Sequence, residues 1–222
     1  MVWQEFMFAC ATYPRDENFL HEVALEVQET ALRLASHPSI FVFGGNNENE
    51  VGLEWYQESR DNRDLFVADY VKLYGDTVFG TLQKVLGTNF YQSENLWVDS
   101  SPSNGLLSVE PYVKRWTRGS TAAAGDMHFY DYSMDCEVDG NFPKARFVSE
   151  FGFQSQPSFA TYKSVLNETD YFKDSTVVAY RQRHEDGNTQ MTDQIVKHFY
   201  MPSLSLVPGE QGFNDYLYLT GI

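Results

Sequence analysis

Helical periodicity and short apolar runs alternate along the first part of the chain. Residues 16–36 predict an amphipathic helix, because apolar residues recur there at steps of three and four, namely Leu20, Val23, Val27, Ala31 and Leu34. Pro38 then ends the helix. Residues 40–43, with the sequence IFVF, form a continuous β-branched and aromatic run, which indicates a strand buried on both faces, as in a parallel sheet.

The same cycle of helix and strand recurs further along. Residues 65–86 have the apolar spacing of a helix and lead through Gly87 to a predicted strand at 96–98. A less regular unit, with a helical hint at Tyr112, Val113 and Trp116, runs to an apolar stretch at 127–132, and another strand is predicted at 145–150. Residues 162–165 and 191–200 are predicted helices. The alternation indicates an α/β fold with right-handed crossovers and parallel strands.

The predicted strands end in polar clusters, such as GGNNE at 44–48 and the run from Asp99 to Pro102. Barrel enzymes assemble their sites at the carboxyl ends of parallel strands, so this placement favours a closed barrel. An open, doubly wound sheet also places ligands at those ends and remains an alternative. No linker, low-complexity tract or short repeat divides the chain, so we expect a single domain over residues 1–222.

Composition and charge narrow the classes of function. A chain of 222 residues that is 42% hydrophobic and 16% aromatic can bury a sizeable core, which excludes a disordered protein. No apolar run approaches the roughly 20 residues that span a membrane. The net charge is −15 and no basic cluster is present, so nucleic acids and anionic membranes are poor partners. A neutral ligand remains possible, and the aromatic excess suits stacking on sugar rings.

Two cysteines, Cys10 and Cys136, cannot form a framework of several disulfides. Neither lies in a CxxC or Cys/His spacing that would hold zinc, so no metal is predicted. Metal-dependent hydrolysis through Asp126, His128 and Asp131 is disfavoured, because no second histidine has a suitable spacing. The first residues lack the cationic start and cleavage site of a signal peptide, and both ends suggest a piece of a longer chain.

Two carboxylates are candidates for chemistry. Glu48 and Glu150 each follow a predicted strand, within the motifs NNE and SEFG. Retaining glycoside hydrolysis needs such a pair, in which one carboxyl protonates the leaving oxygen and the other attacks the anomeric carbon. Asn47 could hold the 2-hydroxyl of the sugar, and Gly152 permits an unusual backbone angle. Solvent exposure of each glutamate is the simpler alternative.

Five sequence blocks strongly resemble the β-mannosidases of glycoside hydrolase family two, in particular their eukaryotic, lysosomal type. They occur in the family's order across nearly the whole chain. The blocks are VWQEFMFAC at 2–10, HPSI at 37–40 continuing to GNNENE at 45–50, SSPSNG at 100–105, MHFYDY at 127–132 and FPKARFVSEFGFQS at 142–155.

The resemblance implies a partial (β/α)8 TIM barrel and two catalytic roles. Glu48 corresponds to the acid/base after strand four, and Glu150 to the nucleophile after strand seven. The chain would contain about strands three to seven with their helices, as one partial catalytic-barrel domain over 1–222. Strands one, two and eight would be absent, together with the N-terminal β-sandwich domains of family members.

Other residues are candidates for substrate binding at the same rim. His128 and Tyr130 lie at the end of the proposed strand six, where a tyrosine could hold the nucleophile ionised. Trp55 could form an aromatic wall beside the leaving sugar, although packing on a helix is the simpler role. Gln4, Glu5 and Asn104 also point toward this rim, and Glu50 rivals Glu48 as the acid.

The predicted function is therefore that of a retaining exo-β-mannosidase. The resemblance implies hydrolysis of terminal, non-reducing β-D-mannosyl residues of oligosaccharides, including Man-β-GlcNAc from N-glycans, in the lysosome and with no cofactor. The expected partner is a β-mannoside oligosaccharide, besides the absent domains and strands of the parent chain. Another family-two exoglycosidase, such as a β-galactosidase or β-glucuronidase, and a non-catalytic carbohydrate-binding remnant are the alternatives.

Overall fold

The computed structural model describes residues 1–87, 97–103, 121–123 and 125–222. The predicted strand residue Leu96, the helical hint at 112–116 and Asn104 lie outside these ranges. The described part of the chain divides into two compact units, one formed by 1–128 with 144–150 and the other by 129–143 with 151–222. The prediction of one catalytic-barrel domain over 1–222 stays a prediction. None of the described helices is long and apolar enough to cross a membrane.

The first unit begins with alternating strands and helices. Its strands are β1 (Val2–Glu5), β2 (Ile40–Gly44) and β3 (Trp97–Val98), and its helices are α1 (Glu17–Leu34), α2 (Asn49–Gly52), α3 (Gln57–Asp61), α4 (Arg63–Tyr70) and α5 (Gly80–Leu86). A π-helical segment, Val71–Phe79, joins α4 to α5. The predicted helices at 16–36 and 65–86 are thus confirmed, the second with a change of helical pitch in its middle.

Parallel pairing places the ends of β1, β2 and β3 at one edge. The order is β1-β2-β3, with Glu5 opposite Gly44 and Gly44 opposite Val98. Two further parallel bridges continue this alignment, from Ala9 to Asn47 and from Asn47 to Ser101. The polar segments that follow the three strands therefore meet.

The core of the first unit lies between this sheet and its helices. Val23, Val27 and Ala31 face inward at steps of four residues on α1, and Asp16 caps that helix by accepting a hydrogen bond from the backbone N–H of Phe19. The buried cluster also contains Phe6, Phe8, Phe43, Leu53, Tyr70, Leu73, Tyr74, Val78, Leu82 and Trp97. Phe41 is half exposed, so β2 is buried chiefly toward its carboxyl end rather than along its whole length.

A second sheet has two strands, β4 (Met127–Phe129) and β5 (Val148–Phe151). These match the predicted strands within the stretches 127–132 and 145–150. Two sheets of three and two strands are thus seen in the described residues, and the α/β class is confirmed by them. The partial, closed barrel stays a prediction.

The second unit is mainly helical. Its helices are α6 (Phe159–Lys163), α7 (Thr176–Arg181), α8 (Gly187–His198) and α9 (Glu210–Leu219). α6 and α8 correspond to the predicted helices at 162–165 and 191–200, shifted toward the N-terminus. Phe213 on α9 is fully buried and packs its ring against Phe159, Tyr162 and Tyr171.

Candidate active site

Asn46 anchors the segment that follows β2. Its side chain is fully buried and makes four hydrogen bonds, which is the full capacity of an amide. The Nδ2 group donates to the carbonyl of Asp99 (2.7 Å) and to the hydroxyl of Tyr70 (3.2 Å). The Oδ1 atom accepts from the backbone N–H of Asn49 (3.0 Å) and the hydroxyl of Ser100 (2.7 Å). The backbone next to Asn47 and Glu48 is therefore fixed from inside the unit.

The backbone of Glu48 is left-handed, with φ of 62°. This conformation costs a residue with a Cβ atom about 1–2 kcal/mol. It is held by three backbone hydrogen bonds, from Glu48 N–H to the carbonyl of Ser101 (2.7 Å), from Asn47 N–H to Phe8 (3.0 Å) and from Cys10 N–H to Asn47 (2.8 Å). Segments after all three strands of the first sheet thus determine where the Glu48 side chain points.

His128 lies between the two candidate glutamates. Its Nδ1 atom is 2.7 Å from Oε1 of Glu48 and 3.4 Å from Oε2 of Glu150. One side-chain oxygen of each glutamate and a ring nitrogen of His128 lie within 4.8 Å of one another. The thiol of Cys10 donates to the other oxygen of Glu48 at 3.3 Å. The structure thus brings the carboxyl groups of Glu48 and Glu150 close together, as the sequence predicted.

The buried carboxylate of Asp126 is linked to His128 through the hydroxyl of Ser101. Asp126 accepts hydrogen bonds at Oδ2 from the hydroxyls of Ser101 and Ser149 (both 2.6 Å) and at Oδ1 from the backbone N–H of Ser103 (2.7 Å). The Ser101 oxygen is 2.9 Å from Nε2 of His128. Because the Ser101 hydroxyl donates to Asp126, this oxygen accepts from Nε2–H. The imidazole is thereby oriented with Nδ1 toward the glutamates.

The contacts of His128 and Glu48 favour their charged forms. A hydrogen bond from His128, opposed by burial and aided by Cys10, lowers the pKa of Glu48 below 4.5. Burial disfavours the charged imidazole, but the hydrogen bond with Glu48 and the charges of Glu150, Glu48 and Asp126 outweigh it and raise the pKa of His128 above 6.5. One proton is therefore shared by the pair, mainly on His128.

An open cavity of about 360 Å³ lies in front of Glu150. This volume is at the lower end of the range for small-molecule sites. The cavity is lined by Trp3, Gln4, Glu5, Ser101, Phe147, Ser149 and Glu150, and the Trp3 and Phe147 rings are parallel with centroids 6.1 Å apart. Burial and the charge of Glu150 raise the pKa of Glu5 to about 7. The cavity thus combines aromatic faces with carboxyl groups, as sugar recognition requires.

Comparisons with known proteins agree with this chemistry. Over its whole length the chain is 40% identical to the β-mannosidase of Capra hircus and 39% identical to that of Mus musculus. The chain is homologous to β-mannosidases. The β-mannosidase structure from Dictyoglomus thermophilum matches 99% of the chain with a TM-score of 0.65 and 27% identity. No model of a protein family matches the chain.

The match covers only part of each β-mannosidase. The chain spans about a quarter of the length of these relatives, 24% in the goat and mouse proteins and 24% in the bacterial structure. A probable β-mannosidase of Caenorhabditis elegans is 33% identical over 91% of the chain, and the match covers 22% of that protein's length. These relatives are glycoside hydrolases by name, and the fold resembles that of such an enzyme.

The structure brings some of the predicted site residues together. Asn47 lies beside Glu48, and its Nδ2 atom is 3.7 Å from the sulfur of Cys10. Trp55 is about half exposed, with its ring against Tyr56. Tyr130 is about half exposed in the second unit, where its ring lies 6.3 Å from that of Tyr132. Glu50, the rival acid, is buried on α2, which leaves Glu48 as the more accessible carboxyl of that loop.

Several residues that shape the site are not indicated by the sequence. Cys10, Asp126, Ser101 and Ser149 lie in or beside the family blocks, but the sequence indicates no structural role for them beyond the disfavoured metal alternative for Asp126. Trp3 and Phe147, which line the cavity, have only the signal of an aromatic residue near a predicted strand. Asp126 directly precedes β4 and is buried, and a buried carboxylate needs hydrogen-bond donors nearby. The serines of the SSPS segment supply such donors and are the signal that could have indicated Asp126.

The donors Glu48, His128 and Glu150 are poorly placed to share a metal ion. Two ligands of a tetrahedral ion with bonds of about 2.1 Å lie about 3.4 Å apart. His128 and Glu48 are 2.7 Å apart, which is the distance of a charge-assisted hydrogen bond. Asp131, named in the metal alternative, accepts hydrogen bonds at Oδ1 from Ser133 and Met134 in a turn.

Proposed function

We propose that the chain carries the catalytic centre of a retaining exo-β-mannosidase. The observation that carries the proposal is the placement of a carboxylate oxygen of Glu48 within 4.8 Å of one of Glu150. Retaining enzymes hold their two carboxyl groups about 5–5.5 Å apart, whereas inverting enzymes leave about 6.5–9.5 Å for a water molecule. Homology to β-mannosidases supports mannose as the sugar.

In this proposal Glu150 is the nucleophile and Glu48 the acid/base. Glu150 attacks the anomeric carbon, and the leaving oxygen takes the proton shared by Glu48 and His128. Formation of the glycosyl ester removes the charge of Glu150, one of the charges that hold the proton on His128. The pair thus becomes a stronger acid as the bond to the leaving group breaks. Glu48 then takes a proton from the water that hydrolyses the ester.

Substrate binding is assigned to Asn47, His128, Tyr130 and Trp55. The Oδ1 atom of Asn47 is buried and has no hydrogen-bond partner among the described residues, which supports its use by a sugar hydroxyl. Trp3 and Phe147 would supply the aromatic face under the ring. The proposed substrates are terminal β-mannosides, including Man-β-GlcNAc, and neither a metal nor another cofactor takes part.

The same proposal extends to the protein as a whole. The parallel order β1-β2-β3 and the similarity to a β-mannosidase structure support strands three to five of a TIM barrel, with β4 and β5 as six and seven. Coverage of about a quarter of each relative supports further strands and β-sandwich domains in the parent protein. Similarity to mammalian β-mannosidases supports a lysosomal location.

The test is hydrolysis of aryl β-mannoside, β-galactoside and β-glucuronide by the chain and by the parent protein, at acid and neutral pH. We expect turnover of the mannoside, with the β-anomer of mannose as the first product in NMR spectra. Release of the α-anomer would contradict retention. Turnover of another glycoside instead would point to a different exoglycosidase, and mannose binding without turnover by the folded parent protein would favour a binding remnant.

The two carboxyl roles are separated by azide. In a Glu150→Ala variant, azide can only attack from the face that Glu150 occupied, so rescue should give the α-mannosyl azide. In a Glu48→Ala variant, azide attacks the glycosyl ester and should give the β-mannosyl azide. Exchanged products would reverse the roles of the two glutamates. A Glu48→Gln variant with intact turnover would return Glu50 to consideration.

A further inference from the structure

A cluster of three side chains of the types that can ligate metals lies in the helical unit. Asp135 and Cys136 belong to the segment before a short 3-10 helix, Asp139–Asn141, and His198 is the last residue of α8. The Nε2 atom of His198 is 3.4 Å from Oδ1 of Asp135 and 3.7 Å from the sulfur of Cys136. The three donor atoms lie within 4.8 Å of one another. None of these residues takes part in the site around Glu48.

The spacings fit a tetrahedral zinc ion, and the nitrogen–oxygen distance is too long for an ordinary hydrogen bond, whereas the nitrogen–sulfur distance also fits a hydrogen bond. A nitrogen–oxygen hydrogen bond is shorter, at about 2.7–3.2 Å. With zinc bonds of about 2.0–2.1 Å to nitrogen and oxygen and 2.3 Å to sulfur, tetrahedral angles separate nitrogen from oxygen by about 3.4 Å and from sulfur by about 3.6 Å. The observed distances from His198 are 3.4 and 3.7 Å.

The loop that carries two of the donors is fixed to α8 by other contacts. Gln194 Nε2 donates to the carbonyl of Met134 (2.6 Å), and Lys197 Nζ donates to that of Ser133 (2.7 Å). Asn141 donates from its side chain to the carbonyl of Asp135 (2.8 Å). The donors are therefore brought together before any ion binds, which lowers the ordering cost of binding.

The surroundings leave space for a fourth ligand and place a carboxylate near the histidine. Cys136 and His198 line a cavity of about 230 Å³, which can admit a water molecule beside the ion. The Nδ1 atom of His198 faces Oε2 of Glu137 at 3.6 Å. This distance is longer than a hydrogen bond, so Glu137 places a negative charge beside the ring without fixing its orientation.

We propose that Asp135, Cys136 and His198 form a binding site for Zn²⁺, with water as the fourth ligand. A thiolate, an imidazole and a carboxylate are the ligand types that zinc prefers, whereas calcium and magnesium take oxygen ligands only. The Cys136 thiol loses its proton to solvent on binding, so affinity rises with pH. The ion would tie the loop at 135–136 to the end of α8.

The experiment is a titration of the reduced chain with Co²⁺, followed by displacement with Zn²⁺. Cobalt bound by a thiolate gives a charge-transfer band in the near ultraviolet and visible bands whose intensity reports tetrahedral geometry. We expect the charge-transfer band in the wild type and its loss in Cys136→Ser. His198→Gln should weaken zinc affinity by more than about tenfold, since even second-shell changes cost 10–100-fold.

Matched variants assign the band to this site. Cys10→Ser removes the other thiol, which lies beside Glu48, and His21→Gln removes an exposed histidine on α1; both should keep the band and the zinc affinity. Circular dichroism shows that each variant is folded. A band lost in Cys10→Ser but kept in Cys136→Ser would overturn the proposal, as would a folded wild type that gives no charge-transfer band at millimolar Co²⁺.

Discussion

At the scale of single residues, His128 determines where the proton of the proposed active site resides. Its ring is almost fully buried, with 4% of the side chain exposed, and contacts Glu48 at 2.7 Å. The raised pKa of His128 means that the pair stabilises the fold at acid pH and loses this contribution as the pH rises through that value. The lowered pKa of Glu48 means that its own contribution is lost as the pH falls below 4.5. The interaction between His128 and Glu48 therefore stabilises the fold most between about pH 4.5 and pH 6.5.

We predict that His128→Gln moves the alkaline limb of the kcat/KM profile of the parent protein to lower pH. Without the imidazole, the donated proton resides on Glu48 alone and is lost nearer the ordinary pKa of a glutamate. The profile is measured with an aryl β-mannoside, and His21→Gln serves as the control with an unchanged profile. An alkaline limb that stays in place would show that His128 does not share the catalytic proton.

Glu5 is predicted to oppose folding at neutral pH. Its pKa is raised from 4.5 to about 7, so ionisation costs more in the folded than in the unfolded chain, and stability falls as the pH rises between these values. Glu5→Gln should increase the free energy of unfolding by about 1–3 kcal/mol at pH 8, relative to its effect at pH 4. Urea unfolding at both pH values measures this difference. An equal effect at the two would contradict the charge argument.

The sequence indicated the two glutamates and named His128 as a candidate for substrate binding, but it did not indicate that His128 lies between them or that Cys10 contacts Glu48. The motif NNE follows β2, and the motif SEFG lies at the end of β5; both positions are visible in the pattern of apolar residues. The roles of Cys10 and His128 depend on how segments separated by 38 and 80 residues meet, which no local pattern contains. The same holds for Cys136 and His198, which are 62 residues apart and lack any standard zinc spacing.

At the scale of elements, the close approach of β2 to β3 depends on Gly45. A Cβ atom there would lie 2.5 Å from the carbonyl oxygen of Asp99 and 2.8 Å from the Trp97 ring. We predict that Gly45→Ala destabilises the chain by about 1–3 kcal/mol and lowers kcat, because the strand ends that carry Asn47 and Glu48 must separate.

The matched control for this change is Gly80→Ala. Gly80 lies at the start of α5, and a Cβ atom there meets nothing within 4 Å. This variant should be neutral or stabilised by up to about 1 kcal/mol. Urea unfolding of both variants provides the comparison. Equal stability of the two would show that β2 and β3 tolerate a wider spacing.

The longest periodic helices of the first unit were predictable, whereas most short helices, α6 excepted, were not. The spacing of apolar residues located α1 and the helix from Arg63 to Leu86, because their buried faces extend over several turns. The short helices α2, α3 and α7 have too few turns for a periodic face and were not predicted, and the ten-residue helix α9 was not predicted either. The π-helical segment Val71–Phe79 could not be predicted from the sequence either, because its apolar residues also fit an α-helical pattern.

At the scale of the whole molecule, the net charge of −15 destabilises the folded chain through repulsion between like charges. Self-repulsion is screened by salt, since the Debye length falls from about 30 Å at 0.01 M to 10 Å at 0.1 M. We predict that sodium chloride raises the thermal unfolding midpoint at pH 7, and that the increase is smaller at pH 5, where some carboxylates are protonated. Sodium sulfate at equal ionic strength controls for specific anion effects. A midpoint that is independent of salt at pH 7 would contradict the prediction.

The α/β class and the parallel pairing of β1, β2 and β3 were within reach of the sequence, because alternation of helix and strand constrains connections. The division into two compact units was not, since the second unit combines 129–143 with 151–222 across an intervening segment. No linker or low-complexity tract in the sequence marks these boundaries. Three-dimensional contacts define them.

Because the backbone of Glu48 is left-handed, selection for stability and selection for activity should favour different residues at position 48. Glycine adopts this conformation without the cost that a side chain incurs, so a library randomised at position 48 and selected by heat should enrich glycine and asparagine. Selection by turnover should return glutamate from the same library. Adaptation of this protein to higher temperature would then proceed through changes elsewhere, while the costly residue is retained for its chemistry.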